Sequence, residues 1–399
     1  MTNKKQIVII ESAPTDTMTK MAKALKKLGY QTIFITLVGN IELDFLKESY
    51  DKLISFNAKF FKINLLNLPK IFLHGFKNSL KIINALFQIR KLKPHVVIGR
   101  ATPNWLCALF RMYFKHNTFI YFPYDIRSFS YRSIDEAKSC GTLKFEIEAE
   151  KYCFENSDGI IHKGGEDELN YLNTTLLGDL SPLPKSIYFF PYCLQEFMVP
   201  IKPSEKISKK DKEIHTVYVG HVPDDPDWIA GMKDIIDQKI YLHLYSRTNN
   251  LTKEEERNRV LGFLKPFLNN KFLVLHESVS QKELAKEISK YDYGLYSYCN
   301  AVKRSYDNAT GNKIASYLEA GLPIVSPAFY SAASKIIEDN KIGIIFPHEK
   351  FKKLRNILKR NKSERFYKNI IKARNFLSME NQILRLENFF KEVSKFKNL

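Results

Sequence analysis

Thr310-Gly-Asn-Lys-Ile-Ala-Ser-Tyr-Leu-Glu-Ala-Gly-Leu-Pro-Ile-Val-Ser-Pro327 is the stretch on which the reading of this chain turns. It reads as a short helix stopped by Gly321, because a glycine just past the last turn is the usual helix terminator. A buried strand over residues 322–326 follows. Ahead of the helix, Asp307-Asn-Ala-Thr-Gly-Asn312 forms a turn that opens into it. A helix N-terminus presents unpaired N–H groups and a partial positive charge, so it suits phosphate. An anion site followed by a tight helix-to-strand return is what a nucleotide-binding α/β domain requires.

The same alternation extends outward in both directions. Strands are expected over 7–10, 32–38, 95–99, 118–122, 158–162 and 186–190, with helices between them over 15–28, 67–92, 104–114, 143–156 and 166–172. The helix over 67–92 is amphipathic: Leu73, Phe76, Leu80, Ile83 and Phe87 share one face, and Lys70, Lys77, Lys81 and Lys91 another. Residues 200–212 are polar and carry two prolines, the composition of a linker. Beyond it the alternation restarts, with strands over 215–219, 240–245, 272–275, 291–296 and 342–345 and helices over 228–237, 254–268 and 281–290. The basic tail is helical, with Phe376, Ile383, Leu386 and Phe390 on a packing face. Alternating strands and helices predict α/β layers built on parallel sheets. A chain of 399 residues exceeds one typical core, so two doubly wound domains are expected.

The eighteen residues from Thr310 to Pro327 resemble the donor-binding helix of GT-B glycosyltransferases, which commonly read N-K-hydrophobic…Y-L-x-A-G-x-P-hydrophobic-V. The resemblance is to the C-terminal donor-binding domain of the glycosyltransferase group 1, family 4 type. It is close over these residues and loose elsewhere. It implies two Rossmann-like domains facing a cleft: an acceptor-binding domain over 1–198, a linker over 199–212, a nucleotide-sugar-binding domain over 213–348, and basic helices over 349–399 packing back on the first domain. The implied reaction moves a hexose from a nucleotide sugar to a glycan or lipid-linked acceptor in surface polysaccharide or glycoconjugate synthesis. The nucleotide sugar is a substrate; no cofactor and no metal are implied.

Glycosyl transfer needs positive charge for the departing diphosphate, and in this family cationic side chains and helix amides commonly supply it. The residues placed for that task are Lys313 with the turn Thr310, Gly311 and Asn312, then Lys303 and Arg304 in the loop ahead, and Arg247 at a strand end. For the loop cations, a plain solvated surface is an equal alternative. Gly220 ends the first strand of the second domain, where a backbone without a Cβ allows close approach. The family's ribose-binding glutamates align with Ser316 and Asn308, so neither is present. Glu319 lies three residues after Ser316 on the same helix face and is the candidate substitute. The basic pair often found after the first strand's glycine is replaced by His221-Val-Pro-Asp-Asp-Pro226. On the acceptor side, strand ends offer Arg100, Asp125 and Arg127, with Asp16 after the first strand; Asp125 is the candidate base for the acceptor hydroxyl.

Other classes lack their signatures. The five cysteines are odd in number and none is spaced C-x-x-C, which argues against a disulfide framework or zinc site. The nine histidines are scattered singly, and no Walker, G-x-G-x-x-G or G-x-S-x-G motif occurs. No apolar run reaches the roughly 20 residues of a membrane span. Residues 1–6 lead straight into a short strand, so a cytoplasmic protein is expected. The net charge of +19 is concentrated in two stripes: eight Lys/Arg and no acid over 59–93, and 15 Lys/Arg against 5 Glu over 349–399. Such stripes suit an anionic partner, and peripheral contact with the inner face of a membrane is the favoured one. Nucleic acid is not favoured, because aromatics are not interleaved with the basic runs. The remaining alternatives are a sugar-nucleotide epimerase of the same fold and a catalytically inactive scaffold.

Overall fold

The computed structural model describes residues 5–12, 14–36, 46, 48–56, 84–85, 87–100, 103–123, 126, 144–164, 168, 170, 174, 184–190, 192–246, 253–299 and 310–394. The chain divides into two compact units, Met1–Phe190 with Ile383–Leu399, and Pro191–Gln382.

Unit 1 is built on seven strands: β1 (Gln6–Ile10), β2 (Gln31–Thr36), β3 (Lys52–Ser55), β4 (Val96–Arg100), β5 (Thr118–Phe122), β6 (Gly159–His162) and β7 (Lys185–Tyr188). Their order is β3-β2-β1-β4-β5-β6-β7, and every pair is parallel. Ile7 to Ile10 and Val96 to Ile98 are fully buried, as central parallel strands covered on both faces must be. Three helices with complete boundaries accompany the sheet: α1 (Asp16–Lys27), α2 (Asn104–Tyr113) and α3 (Lys144–Asn156).

Unit 2 has six strands: β8 (Ile214–Gly220), β9 (Ile240–Ser246), β10 (Leu273–His276), β11 (Tyr293–Leu295), β12 (Ile324–Pro327) and β13 (Gly343–Phe346). The order is β10-β9-β8-β11-β12-β13, again all parallel. Besides one helical turn at Ser208–Asp211, the helices described are α4 (Pro226–Asp237), α5 (Lys253–Leu264), α6 (Gln281–Ile288), α7 (Lys313–Ala320), α8 (Ser331–Asp339), α9 (Leu354–Arg360), α10 (Tyr367–Phe376) and α11 (Met379–Val393), the last continuing into unit 1. Helix α4 starts where the sequence is suited to it: Pro226 occupies the first turn, and the Asp225 carboxylate accepts from the Asp227 amide at 2.9 Å.

Both sheets place their first strand in the interior and reverse strand order beside it, at β1/β4 and at β8/β11. In doubly wound sheets ligands gather beyond the carboxyl ends of the strands at this reversal.

Some elements differ from expectation. β3 and α8 were not foreseen. β3 is only four residues long, too short to show alternation, and α8 has no side-chain cap at Tyr330. Residues 200–212 do not hang free. Lys206 is buried and donates from Nζ to Ser289 O (2.8 Å) and Tyr291 O (2.7 Å), fixing the segment to unit 2. In the tail, Ile383, Leu386 and Phe390 are buried, but Phe376 is 64% exposed and belongs to no packing face. Of the helix expected over 67–92, residues 84–85 and 87–92 fall among those described; 84–85 and 87–90 are helical, and Lys91 and Leu92 are not.

Candidate functional site

The strand reversal in unit 2 is held open by one side chain. β8 and β11 pair only through Tyr293 with Thr216 and Gly294 with Val217. Just beyond, the Tyr317 hydroxyl from α7 enters between them. It lies 2.7 Å from Leu295 O and 3.2 Å from Val217 O, and accepts from the Val219 amide at 3.3 Å. Gly294 makes room for the ring, since a Cβ there would lie 2.4 Å from it. The tyrosine therefore ties α7 to both strands and sets where the start of α7 points.

That start carries the cation. Lys313 is the first residue of α7, and its Nζ sits 4.6 Å from the centroid of the Tyr218 ring and 5.5 Å from that of Tyr296. The aromatic faces attract it, but no carboxylate among the described residues is within ion-pair distance. Burial pulls the lysine pKa from 10.5 down to about 8. Tyr296 has a second role: its hydroxyl accepts from the Gly311 amide at 2.8 Å and so orders the turn before α7. Thr310 is fully buried beside it. Gly220, at the carboxyl end of β8, has φ +130°, and a Cβ there would stand 3.4 Å from Lys313 Cε. A side chain at 220 would be strained and would crowd the lysine.

Other charges converge on the same edge. The His221 pKa is lowered, first by burial and then by the nearby cations Arg259 and Lys313. Arg259 donates to Glu256 through Nε (2.9 Å) and Nη2 (2.7 Å), and from Nη2 to Val222 O (2.8 Å). Ser246, at the end of β9, donates to the same buried Glu256. This network pins the loop that leaves Gly220. The sequence reading missed Tyr218, Tyr296, Tyr317 and Arg259. The signal available was a tyrosine in each of the three elements that meet here, Tyr218 in β8, Tyr296 just after β11 and Tyr317 in α7.

Several expected residues are engaged elsewhere. Ser316 is buried and donates to Asn312 O at 3.3 Å, back along its own helix. Glu319, expected at the ribose, lies at the far end of α7. Its carboxylate accepts from the Leu194 amide at 2.8 Å, and Arg374 donates to the carbonyls of Leu318 (2.6 Å) and Glu319 (3.0 Å). It braces the C-terminal end of the helix, the opposite end from Lys313. In unit 1, Arg100 forms a buried ion pair with Glu11, which follows β1 on the neighbouring strand, so it is not an open cation for an acceptor. Asp16 opens α1, where a carboxylate complements the helix dipole. Asp125, Arg127, Arg247, Lys303, Arg304 and Asn308 lie outside the described residues.

Residues 232–393 match the family model described as "Glucosyltransferase 3-like, C-terminal domain". No curated protein sequence matches the chain. Among solved structures, sucrose-phosphate synthase from Thermosynechococcus elongatus superposes with a TM-score of 0.67 at 14% identity, covering 98% of this chain and 99% of that one. HepE from Anabaena, solved with UDP and glucose, gives 0.64 at 10% identity over 97% and 100%. The catalytic domain of starch synthase IV from Arabidopsis thaliana, bound to ADP and acarbose, gives 0.60 at 11% over 98% and 99%. The chain thus has the two-domain α/β fold of GT-B glycosyltransferases.

Proposed function

We propose that this chain is a glycosyltransferase that takes a hexose from a nucleoside diphosphate sugar and passes it to a glycan or lipid-linked acceptor in surface polysaccharide or glycoconjugate synthesis. The observation that carries the reading is Lys313, a cation with no carboxylate in ion-pair distance among the described residues, held between Tyr218 and Tyr296 at the start of α7, beside the β8/β11 reversal. The family match over 232–393 includes Lys313, Tyr296 and β11 of this site, while Tyr218 and β8 precede it. The neighbours solved with UDP and glucose, or with ADP, make a nucleoside diphosphate the first ligand to try.

Breaking the bond between sugar and diphosphate puts negative charge on the leaving phosphate. In this proposal Lys313 and the amides opening α7 meet that charge, and a half-buried cation already in place needs no reorganisation. In this proposal the protein meets the charge without a metal ion, and turnover persists in EDTA. Asp125 is proposed to orient or deprotonate the acceptor hydroxyl.

The test is a melting-temperature screen with UDP, GDP, ADP, CMP and dTDP, followed by product analysis with UDP-glucose. A ligand that binds only the native state raises the melting point. One diphosphate should raise it in the native chain and fail to do so in Lys313→Ala. If no nucleoside diphosphate shifts the melting point, the reading is wrong. Conversion of the donor in the absence of any acceptor would point instead to an epimerase.

A further inference from the structure

We propose that the free edge of β13 is a docking site for an extended acidic segment of a partner protein, which adds to the unit 2 sheet as an extra strand. β13 is the last strand in that sheet and pairs on one side only, with β12. The Ile324 amide donates to Ile342 O at 3.1 Å, and the Ala328 amide donates to Phe346 O at 2.9 Å. Alternate residues of a parallel strand turn their backbone groups to opposite sides. Gly343 and Ile345 therefore turn theirs away from β12. Gly343 shows the same direction in another way, since a Cβ on its Cα would run into Ile324 O. Both residues are only half-buried.

A groove of about 400 Å³ runs beside this edge. Phe346, Ile357 and Phe366 give it apolar walls, and Lys350, Asn361 and Arg365 give it polar ones. Arg365 Nη1 donates to Asn361 Oδ1 at 3.0 Å. Both Lys350 and Arg365 are exposed, and neither is paired with a carboxylate among the described residues. Glu338, near the end of α8, also lines the groove, and Asp339 and Glu349 are exposed close by in sequence. The balance is still basic. From Lys341 to Lys372 the chain carries eleven Lys/Arg and two Glu. One of the two, Glu364, is held by Lys209 at 2.7 Å; in turn Arg355 is spent on Glu213 at 2.7 Å.

An open strand edge offers N–H and C=O groups that template another strand, and cations on it keep away a second copy of the same edge. Those cations also attract a segment of opposite charge. An acidic strand laid along β13 would bond to Gly343 and Ile345, set apolar side chains against Phe346 and Phe366, and bring carboxylates to Lys350 and Arg365. Nucleic-acid phosphates would use the cations but leave the strand edge unpaired. The inference does not depend on the donor site.

The experiment is a fluorescence-anisotropy titration of the full chain, at low salt, against a short labelled peptide alternating valine with glutamate. Hydrogen exchange over residues 343–346 is read alongside. The native chain should bind this peptide, reject one alternating valine with lysine, and exchange the Gly343 and Ile345 amides at least about tenfold more slowly in the complex. Lys350→Glu/Arg365→Glu, at exposed positions, should keep its melting temperature and nucleotide response while binding the acidic peptide at least about tenfold more weakly. Ile345→Pro removes one outward N–H from an edge strand and should lose binding too; if that chain does not fold, the charge-reversed pair and the exchange data still decide. No binding by the native chain overturns the proposal, as does equal binding by the charge-reversed chain. Peptide binding that leaves the Gly343 and Ile345 amides unprotected, or that single-stranded DNA competes away at equal affinity, marks a plain polyanion surface and overturns it. A dimer that protects the same amides without peptide overturns it in favour of a second copy.

Discussion

The Tyr317 ring fills the space that a Cβ on Gly294 would need: the added carbon would stand 2.4 Å from it. A strand glycine and a helix tyrosine are thus a matched pair, and the hydroxyl beyond the ring bridges β8 and β11 where their own pairing stops. The start of α7 inherits its position from this wedge. Gly294→Ala overpacks the site and is expected to cost about 1–3 kcal/mol. Tyr317→Phe keeps the ring but strips buried backbone groups of a partner, at about 1–3 kcal/mol. Both should lower the urea midpoint and weaken nucleoside diphosphate binding. A Tyr317→Phe chain of native stability and native affinity would refute the wedge.

Lys313 gives a prediction with a definite sign in pH. Its pKa in the free protein is lowered to about 8 by burial. A bound diphosphate favours the charged ammonium, so the pKa rises in the complex. Below pH 8 the cation is ready. As pH climbs through 8, binding must first take up a proton, and affinity should fall by up to about tenfold per pH unit. Lys313→Met should lose a charge-assisted contact of about 1.5–3 kcal/mol at pH 7 and should lose this pH dependence with it. Calorimetric titration with UDP at pH 7, 8 and 9 reads both effects.

What the sequence revealed and what it hid follow one physical line. The helix-to-strand return at α7 and β12 was legible because each step has its own local chemistry: Gly321 in the left-handed region at φ +70°, then a buried apolar strand. Lys313 was legible because it opens that helix. Glu319 was misread because spacing reports which residues share a helix face, not what lies against them. Its partner, the Leu194 amide, is 125 residues away in sequence. Arg100 was misread for the same reason. It is a cation at a strand end, but only the β1–β4 adjacency brings Glu11 to it.

The Glu11–Arg100 pair supplies a stability prediction. Glu11 is fully buried and Arg100 nearly so, so removing one partner strands the other charge without water. Glu11→Gln should destabilise by about 3–5 kcal/mol, whereas Glu11→Leu with Arg100→Met should recover most of the loss. Urea denaturation of the three chains decides it. A double variant no better than the single one would mean the pair holds more than itself in place.

The last prediction concerns three histidines that looked scattered in sequence and prove to be bonded in series across β8, β9 and β10. His215 Nε2 lies 2.8 Å from Asp211 Oδ2, His215 Nδ1 2.9 Å from His243 Nε2, and His243 Nδ1 2.9 Å from His276 Nε2. An ionised carboxylate only accepts, so Asp211 orders the tautomers: each Nε2–H donates, and each Nδ1 within the series accepts. A proton added to His243 would set two donors against each other. Burial, with His276 and His215 adding to it, holds the His243 pKa down at about 2, and burial lowers that of His276 to about 4, from an ordinary 6.5. The unfolded chain protonates His243 and His276 as pH falls below about 6.5, and the folded chain does not. The stability they support is therefore whole above that pH and is lost on acidification, at up to about 1.4 kcal/mol per pH unit for His243. Urea midpoints should hold between pH 7.5 and 6.5 and then fall from 6.5 to 5, above the main range of carboxylate titration, in the native chain, and fall less steeply in His243→Gln. Parallel slopes in the two chains would mean that His243 takes no part in the acid sensitivity.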